Sequence, residues 1–544
     1  MNHNIAETLP KIAEMYPDRN GLICKTVEGY RSWSFKDLDS MTDFFAGSLA
    51  DLGVTRGDRV MLMVKPSVEF ITLTFALFKI GAVIILIDPG MGYKNLLQCV
   101  GKVKPEIFIG ILKAHLFKLF FPRPFKTVRT SVCIGRSFGF FGRTLSAEAA
   151  EKSKNYGTSF SAVPLDKNDP AAILFTTGST GPPKGVLYDH GIFQAQLRLI
   201  RDFYRIGPDD IDQPAFPLFA LFSTALGACS VIPEMNPAKP AQVDPAKFIK
   251  TIRNNNVTYS FGSPAIWNVV SNYCRAEKIT LQSVKKILMA GAPVPGDLLQ
   301  RTLSILPADA EIHTPYGATE SLPVASITAT EILAETWDET RKGKGVCVGR
   351  VLPGIEIKII KTSDEPIDQL HESLHLPTGE IGEIIVRGPV VTRAYDNNDR
   401  ENRLAKIKDE DGFWHRMGDL GYFDYNGRLW FCGRKGHRVI TKSGTMYTVC
   451  CEAIFNEHPK VFRSALVGIG SKEQQQPVLI VELHDKNTSE EVLTDLKQMA
   501  LENELTCTIE HFLIHPSFPV DIRHNVKIFR EKLSKWADDK LTKA

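Results

Sequence analysis

Residues Phe175–Thr176–Thr177–Gly178–Ser179–Thr180–Gly181–Pro182–Pro183–Lys184–Gly185 constrain this chain more than any other stretch. The apolar run Ala171–Phe175 leads into them and predicts a buried strand. From Thr176 onward the string combines hydroxyls, glycines, prolines and one lysine, with no acidic side chain. Such a loop suits a polyphosphate: glycines let backbone N–H groups approach the oxygens, hydroxyls add donors, and one ammonium neutralises charge. Gly185 follows the lysine where a P-loop has Ser or Thr, so this is a different phosphate loop. Downstream, Asp189 predicts the cap of a helix carrying Phe193, Leu197, Ile200 and Tyr204 at helical spacing. Strand, phosphate loop and helix in that order predict a nucleotide enzyme without specifying its chemistry.

At 544 residues the chain exceeds one core, since about 150 residues per domain is typical. A hydrophobic content of 43% and a charged content of 23% are ordinary for a globular protein. The net charge of +3 gives no global case for nucleic-acid binding. Ten scattered cysteines without a C-x-x-C pair argue against a metal or disulfide framework, and Cys450–Cys451 reads as a buried neutral pair. Met1–Leu22 lacks a basic region followed by an apolar core, so no secretory signal is expected. Phe70–Ile87 imitates a membrane span, but Lys79 and Gly81 interrupt it and Asp88–Pro89–Gly90 end it. A buried helix followed by a buried strand is the expectation there, and a cytoplasmic location for the whole.

Apolar runs alternate with helical patterns through the first 430 residues or so. Arg59–Val64, Ala82–Ile87, Lys286–Met289 and Ile381–Val386 read as strands, and Lys36–Leu52 and Pro245–Asn254 as helices. That alternation predicts an α/β fold with layered, mixed or largely parallel sheets. Leu420–Tyr425 and Arg428–Cys432 flank Asn426–Gly427, the signal for a two-residue hairpin. The polar, basic Gly433–Arg434–Lys435–Gly436–His437–Arg438 comes next, and Ser464–Ile469 and Val478–Leu483 read as strands beyond it. The expected division is a large N-terminal domain, 1–435, and a small mobile C-terminal α+β domain, 436–544.

Several strings then align with one family. Ala290–Gly291–Ala292, Thr314–Pro315–Tyr316–Gly317–Ala318–Thr319–Glu320, Gly418–Asp419 and Gly433–Arg434 follow the phosphate loop in order. Together they resemble the adenylate-forming superfamily of acyl-CoA synthetases, luciferases and peptide-synthetase adenylation domains, over nearly the whole chain. The resemblance implies that Thr176, Thr177, Gly178, Ser179, Thr180, Gly181 and Lys184 hold the phosphates of ATP. It implies that Tyr316 and Gly317, with Gly291 and Ala292, form the adenine site. Asp419 would accept the ribose hydroxyls, and Arg434 would contact ribose or phosphate. Thr319 would contact the α-phosphate and Glu320 would bind Mg²⁺, a hard cation suited to a carboxylate.

In Phe518–Pro519–Val520–Asp521–Ile522–Arg523–His524–Asn525–Val526–Lys527–Ile528, the lysine matches the family's adenylation lysine, although Arg523–His524–Asn525 replace the usual serine and glycine. Lys527 would bridge the substrate carboxylate and the α-phosphate as charge builds. Gly436 stands at the family's hinge position, where Asp or Lys is usual; glycine keeps the torsional freedom a hinge needs.

Phe216 to Gly227, Val231 to Met235, Gly317 to Pro323 and the Lys527 segment most resemble the β-lactone synthetases of bacterial long-chain olefin biosynthesis. Ala220 stands where the superfamily commonly has a histidine or aromatic gate. This resemblance implies a 2-alkyl-3-hydroxy fatty acid substrate, ATP and Mg²⁺, and no CoA. The acyl-AMP would be closed by the substrate's own 3-hydroxyl, a nucleophile already tethered at high effective concentration. Phe216, Phe219, Ala220, Phe222, Phe261, Gly262, Ser263, Pro264 and Leu322 are the candidate acyl pocket. His313 reads as structural. The implied partners are a condensing enzyme, a reductase and a β-lactone decarboxylase, with no nucleic acid. A long-chain acyl-CoA synthetase, using Gly444–Thr445–Met446–Tyr447, is the alternative, and a non-catalytic nucleotide-binding scaffold a third reading.

From Ile107 to Ala147 there is no Asp or Glu, while Lys113, Lys118, Arg123, Lys126, Arg129, Arg136 and Arg143 supply positive charge. Phe117, Phe120, Phe121, Phe125, Phe138, Phe140 and Phe141 are interleaved. Basic plus aromatic suits an anionic membrane surface, a partner protein, the mouth of an acyl tunnel, or a subdomain whose phenylalanines are core.

Overall fold

The computed structural model describes residues 2–26, 28–135, 141–153, 156–176, 182–216, 218–410, 412–485, 489–520 and 528–542. Thr177–Gly181 and Lys527 therefore lie outside the described residues, as do Arg136, Phe138 and Phe140.

A seven-stranded sheet runs in the spatial order Arg143–Leu145, Thr130–Ile134, Ile107–Ile111, Arg59–Met63, Val83–Leu86, Pro170–Thr176 and Lys184–Asp189. All neighbours are parallel except the last pair. Continuous apolar runs such as Ile107–Ile109 are fully buried, as parallel strands covered on both faces must be.

A second, 14-stranded sheet changes character halfway. Cys229–Val231, Ile211–Asp212, Tyr259–Gly262, Lys286–Met289 and Glu311–Ala318 pair in parallel. Glu311–Ala318 then pairs antiparallel with Ser321–Thr328, and the antiparallel pattern continues through Val346–Val351, Leu429–Arg434, Gly412–Phe423, Gly382–Arg387 and Glu356–Ile360. Thr319–Glu320 is the turn at which parallel gives way to antiparallel pairing.

Beyond Lys435–His437, a single 3₁₀ turn, a small hairpin (Val439–Thr441 with Gly444–Met446) precedes a three-stranded sheet of Val461–Ile469, Gln476–Leu483 and His511–Ile514. Helices Thr448–Phe455, Ser489–Leu501 and Arg530–Leu541 cover it, with apolar clusters of their own.

Two local readings are corrected. Strand Pro170–Thr176 is followed by a second strand, Lys184–Asp189, before the helix His190–Asp202 begins. Val186 and Tyr188 are buried at alternate positions there, and the strand is the sheet's last member, so the phosphate string returns as a strand before the helix begins at its Asp189 cap. The cap itself forms: Asp189 accepts the Ile192 N–H at 2.9 Å. The hairpin loop is three residues, Tyr425–Gly427, closed by Asp424 N–H donating to the Arg428 carbonyl at 2.9 Å. The Asp424 carboxylate accepts from the Asn426 and Arg428 N–H groups, and Gly427, the third loop residue, takes the left-handed φ of 72°.

The span-like segment resolves into helix Val68–Ile80, ended by Gly81 at φ 79°, and strand Val83–Leu86. Lys79 is buried yet paired, 3.0 Å from Asp39 and in contact with Asp43. Among the described residues no helix is long and apolar enough to cross a membrane.

Candidate active site

One crevice of about 2690 Å³ runs between the two large sheets and the C-terminal sheet. Its polar end is built on the switch from parallel to antiparallel strands. Tyr316, on the strand before the turn, donates its hydroxyl to Asp419 Oδ2 at 2.6 Å. Asp419 and Arg434 are direct cross-strand partners, which sets Arg434 Nη1 2.8 Å from Asp419 Oδ1. That contact is an ion pair only, and buried Oδ1 is left without a hydrogen-bond donor. Burial raises the Asp419 pKa, with Arg434 opposing it, and burial raises the Tyr316 phenol further. An acceptor held out of water with an open lone pair is what a vicinal diol donor would fill.

Gly291 follows its strand at φ 100°, a backbone that glycine adopts at little cost and other residues rarely do, and lines the crevice with Ala292. At Gly317 a Cβ would sit 2.6 Å from the Ser321 carbonyl, so that glycine serves the hairpin turn itself.

Thr319 and Glu320 project from the tip. The Thr319 carbonyl accepts the Tyr188 hydroxyl at 2.6 Å, and Glu320 Oε1 accepts the Tyr395 hydroxyl at 2.8 Å. Thr176 pairs directly with Lys184 across the phosphate string, and Thr177, Gly178, Ser179, Thr180 and Gly181 lie outside the described residues. Lys184 Nζ contacts Glu401 and lies 5.2 Å from the centre of the Tyr395 ring. Lys527 also lies outside the described residues, but Ile528 and Arg530, just beyond it in sequence, line the crevice. Gly436, in its 3₁₀ turn, lines it as well.

The apolar end is lined by Phe216, Phe219, Phe222, Phe261, Gly262, Ser263, Pro264 and Leu322. Phe219 and Phe261 stack with centroids 3.8 Å apart. Ala220 differs from expectation: it is fully buried and belongs to the core beneath helix Phe219–Ala225, because one helical step turns it away from Phe219 and Phe222. His313 does not line the crevice; it packs against Tyr204 at 5.3 Å, and burial lowers its pKa. Cys450 and Cys451 are both buried, as the sequence reading expected.

Several polar groups here escaped sequence reasoning. Tyr395 is placed over Lys184 by a bridge between Val186 and Tyr395, a contact no local pattern announces. Lys406, half-buried and within electrostatic reach of Glu320, is pushed down to about 7 by loss of water. At the apolar end Asp212 is fully buried, accepts Ser223 Oγ at 2.5 Å, and leaves Oδ1 without a partner; burial pushes its pKa up to about 8. Ser223 Oγ is also 2.5 Å from the Tyr259 hydroxyl.

Among the described residues no group of three or more His, Cys, Asp or Glu is arranged to hold a metal. A lone Glu320 still fits Mg²⁺, which is usually held by one or two carboxylates together with substrate phosphates.

Layered α/β sheets with one crevice joining a polar end to an aromatic one have the form of an enzyme that takes a polar and an apolar group together. Residues 9–396 match the family described as AMP-binding enzyme, and the chain belongs to that family. It is 44% identical to the olefin beta-lactone synthetase of Stenotrophomonas maltophilia (strain K279a), with 99% of each chain aligned. It is also 44% identical to the olefin beta-lactone synthetase of Xanthomonas campestris pv. campestris, covering 98% of this chain and 97% of that one. The fold superposes on O-succinylbenzoate coenzyme A synthetase from Bacillus subtilis in complex with ATP and magnesium ion. That match has a TM-score of 0.74 and 19% identity, and covers 97% of this chain and 98% of that one.

Proposed function

We propose that this chain is an ATP-dependent olefin β-lactone synthetase acting on a long-chain 2-alkyl-3-hydroxy acid. The observation that carries the reading is the full-length 44% identity to two proteins of that name. Support comes from the crevice, which joins the Asp419–Tyr316 end to the Phe216–Phe219–Phe261 end without a break.

In the first step a carboxylate oxygen attacks the α-phosphorus of ATP, and pyrophosphate leaves. Asp419 Oδ1 takes the ribose hydroxyls, Tyr316 faces the base, and Thr176 and Lys184 flank the phosphates. Lys184 would exchange its contact with Glu401 for them. Glu320 would hold Mg²⁺, which when bound neutralises phosphate charge. Lys527, from the small lobe, neutralises the charge growing between carboxylate and phosphate. In the second step the 3-hydroxyl attacks the acyl carbon, loses its proton and expels AMP as the four-membered ring closes. The aromatic walls exclude water that would otherwise hydrolyse the anhydride. The nucleophile is already attached, so no second substrate has to be bound. A small lobe, 436–544, pivoting at Gly436 would serve the two steps in turn.

The test mixes protein, Mg-ATP and a long 2-alkyl-3-hydroxy acid without CoA. Equimolar AMP and pyrophosphate with a β-lactone by mass and NMR is the expected result. Turnover that requires a thiol would place the chain among the thioester-forming ligases instead. Lys527→Ala should lose pyrophosphate release at least a hundredfold; an unchanged rate would remove that lysine from the first step.

A further inference from the structure

Of twelve large apolar side chains exposed among the described residues, five gather in one place: Tyr93, Leu116, Leu119, Phe120 and Phe121. Helix Leu112–Phe120 carries three of them, and Phe120 is 76% exposed. At 100° per residue, Leu116, Leu119 and Phe120 fall on one outward face together with exposed Lys113. Tyr93 extends the patch, its ring stacked on Phe121 at 6.4 Å. Exposed Lys94, Arg123 and Lys126 border it, and no acidic residue occurs between Ile107 and Ala147 to neutralise them. Phe125, by contrast, is core.

Two features decide between kinds of occupant. Protein interfaces deplete lysine around their apolar centres, whereas an apolar stripe rimmed by Lys and Arg without Asp or Glu is the pattern of an interfacial helix on anionic lipid. The same helix also borders the crevice, for Ala114 and Phe117 line it together with Lys113 and with Ile111 at the helix N-cap. One helix therefore separates the exposed patch from the crevice.

We propose that helix Leu112–Phe120, with Tyr93 and Phe121, docks on an anionic membrane surface and sets the crevice at Phe117 against it, so that a lipid-dissolved acyl substrate enters there. The entry route rests on the function proposed above; the docking does not. Lipid binding depends on the apolar face and on the basic rim together, because each alone is a weak anchor.

The experiment floats the full chain with phosphatidylcholine vesicles, with and without one-third phosphatidylglycerol. The bound fraction should be at least fivefold higher with phosphatidylglycerol and fall with salt. Leu119→Asp/Phe120→Asp, at exposed positions, should reduce it at least fivefold, and so should Lys94→Glu/Arg123→Glu. The first pair should leave ATP turnover on detergent-dissolved substrate unchanged while slowing turnover of vesicle-borne substrate. Circular dichroism checks that the variants fold. Absence of flotation, or flotation indifferent to both variants, overturns the docking. So would a concentration-dependent dimer in light scattering that Phe120→Asp abolishes while vesicle binding stays nil, since the patch would then belong to a second copy. A protein that floats yet makes no lactone leaves the docking standing and overturns only the function.

Discussion

Asp419 is a buried carboxylate with one oxygen bound by Tyr316 and the other lacking a donor, so its environment is incomplete without something else in the crevice. Asp419→Asn keeps the shape and removes the charge that faces Arg434. The expected result is an ATP KM raised at least tenfold, with an unfolding transition displaced by about 1–3 kcal/mol at most, the usual size of a lost buried partner. Steady-state kinetics and urea denaturation separate the two effects. Asp212 makes a different prediction. Its pKa is about 8, against an ordinary 3.8, because burial disfavours the charged form. Between those values the unfolded chain has released a proton that the native chain keeps, so stability falls as pH rises, by at most about 1.4 kcal/mol per pH unit. Asp212→Asn should flatten that fall: relative to the parent, the variant gains stability steadily from pH 5 to 8. Denaturation at four pH values checks the slope, and parallel curves would remove Asp212 as its source.

Helix Val68–Ile80 shows how an element can carry a charge into the core. Lys79 is enclosed, but Asp39 and Asp43, on helix Phe35–Asp51, meet it there. Removing one member of such a pair leaves the other buried and alone, which costs about 3–5 kcal/mol. Lys79→Met should lower the urea midpoint accordingly, and adding Asp43→Leu should restore much of the loss. Recovery in the double variant distinguishes an unpaired charge from simple loss of packing. The same scale explains which expectations survived contact with the fold. Lys286–Met289 and Pro245–Asn254 form over the residues anticipated, since their apolar spacing and Asp244 cap are local properties. The hairpin at Tyr425–Gly427 gained a residue because Asp424 captures two N–H groups, a choice of turn that Asn–Gly alone does not specify.

At the scale of the molecule, the Tyr316–Asp419 end of the crevice is assembled from strands more than a hundred residues apart, and the residues beyond His437 meet the rest of the chain through helix Thr448–Phe455, packed on Thr340–Lys344 and strand Leu429–Arg434, and through ion pairs. Arg341 reaches Glu457 at 2.5 Å, and Arg438 and Lys472 both contact Asp364 at 3.0 Å. These are exposed or half-exposed pairs, each worth on the order of 1 kcal/mol or less. If the pivot is Gly436, fixing its φ with Gly436→Pro should leave the first burst of pyrophosphate and cut sustained turnover at least tenfold. A quenched-flow burst compared with the steady rate measures this, and an unaltered steady rate would exclude a pivot there.

Much of the candidate site was legible because short strings carry it: Thr176 to Lys184, Tyr316 to Glu320 and Gly418–Asp419 announce chemistry through residue type and order. Alternation and helical spacing likewise determined the α/β layering, since burying one face or two is written in the period of apolar residues. Tertiary structure alone decided what each group experiences. Tyr395 over Lys184, Asp212 in an apolar end and Lys406 stripped of water come from strands and helices distant in sequence. Ala220 turns from cavity to core by one helical step, which composition cannot register. Periodicity is a property of neighbours along the chain, whereas dielectric surroundings and hydrogen-bond partners are properties of neighbours in space.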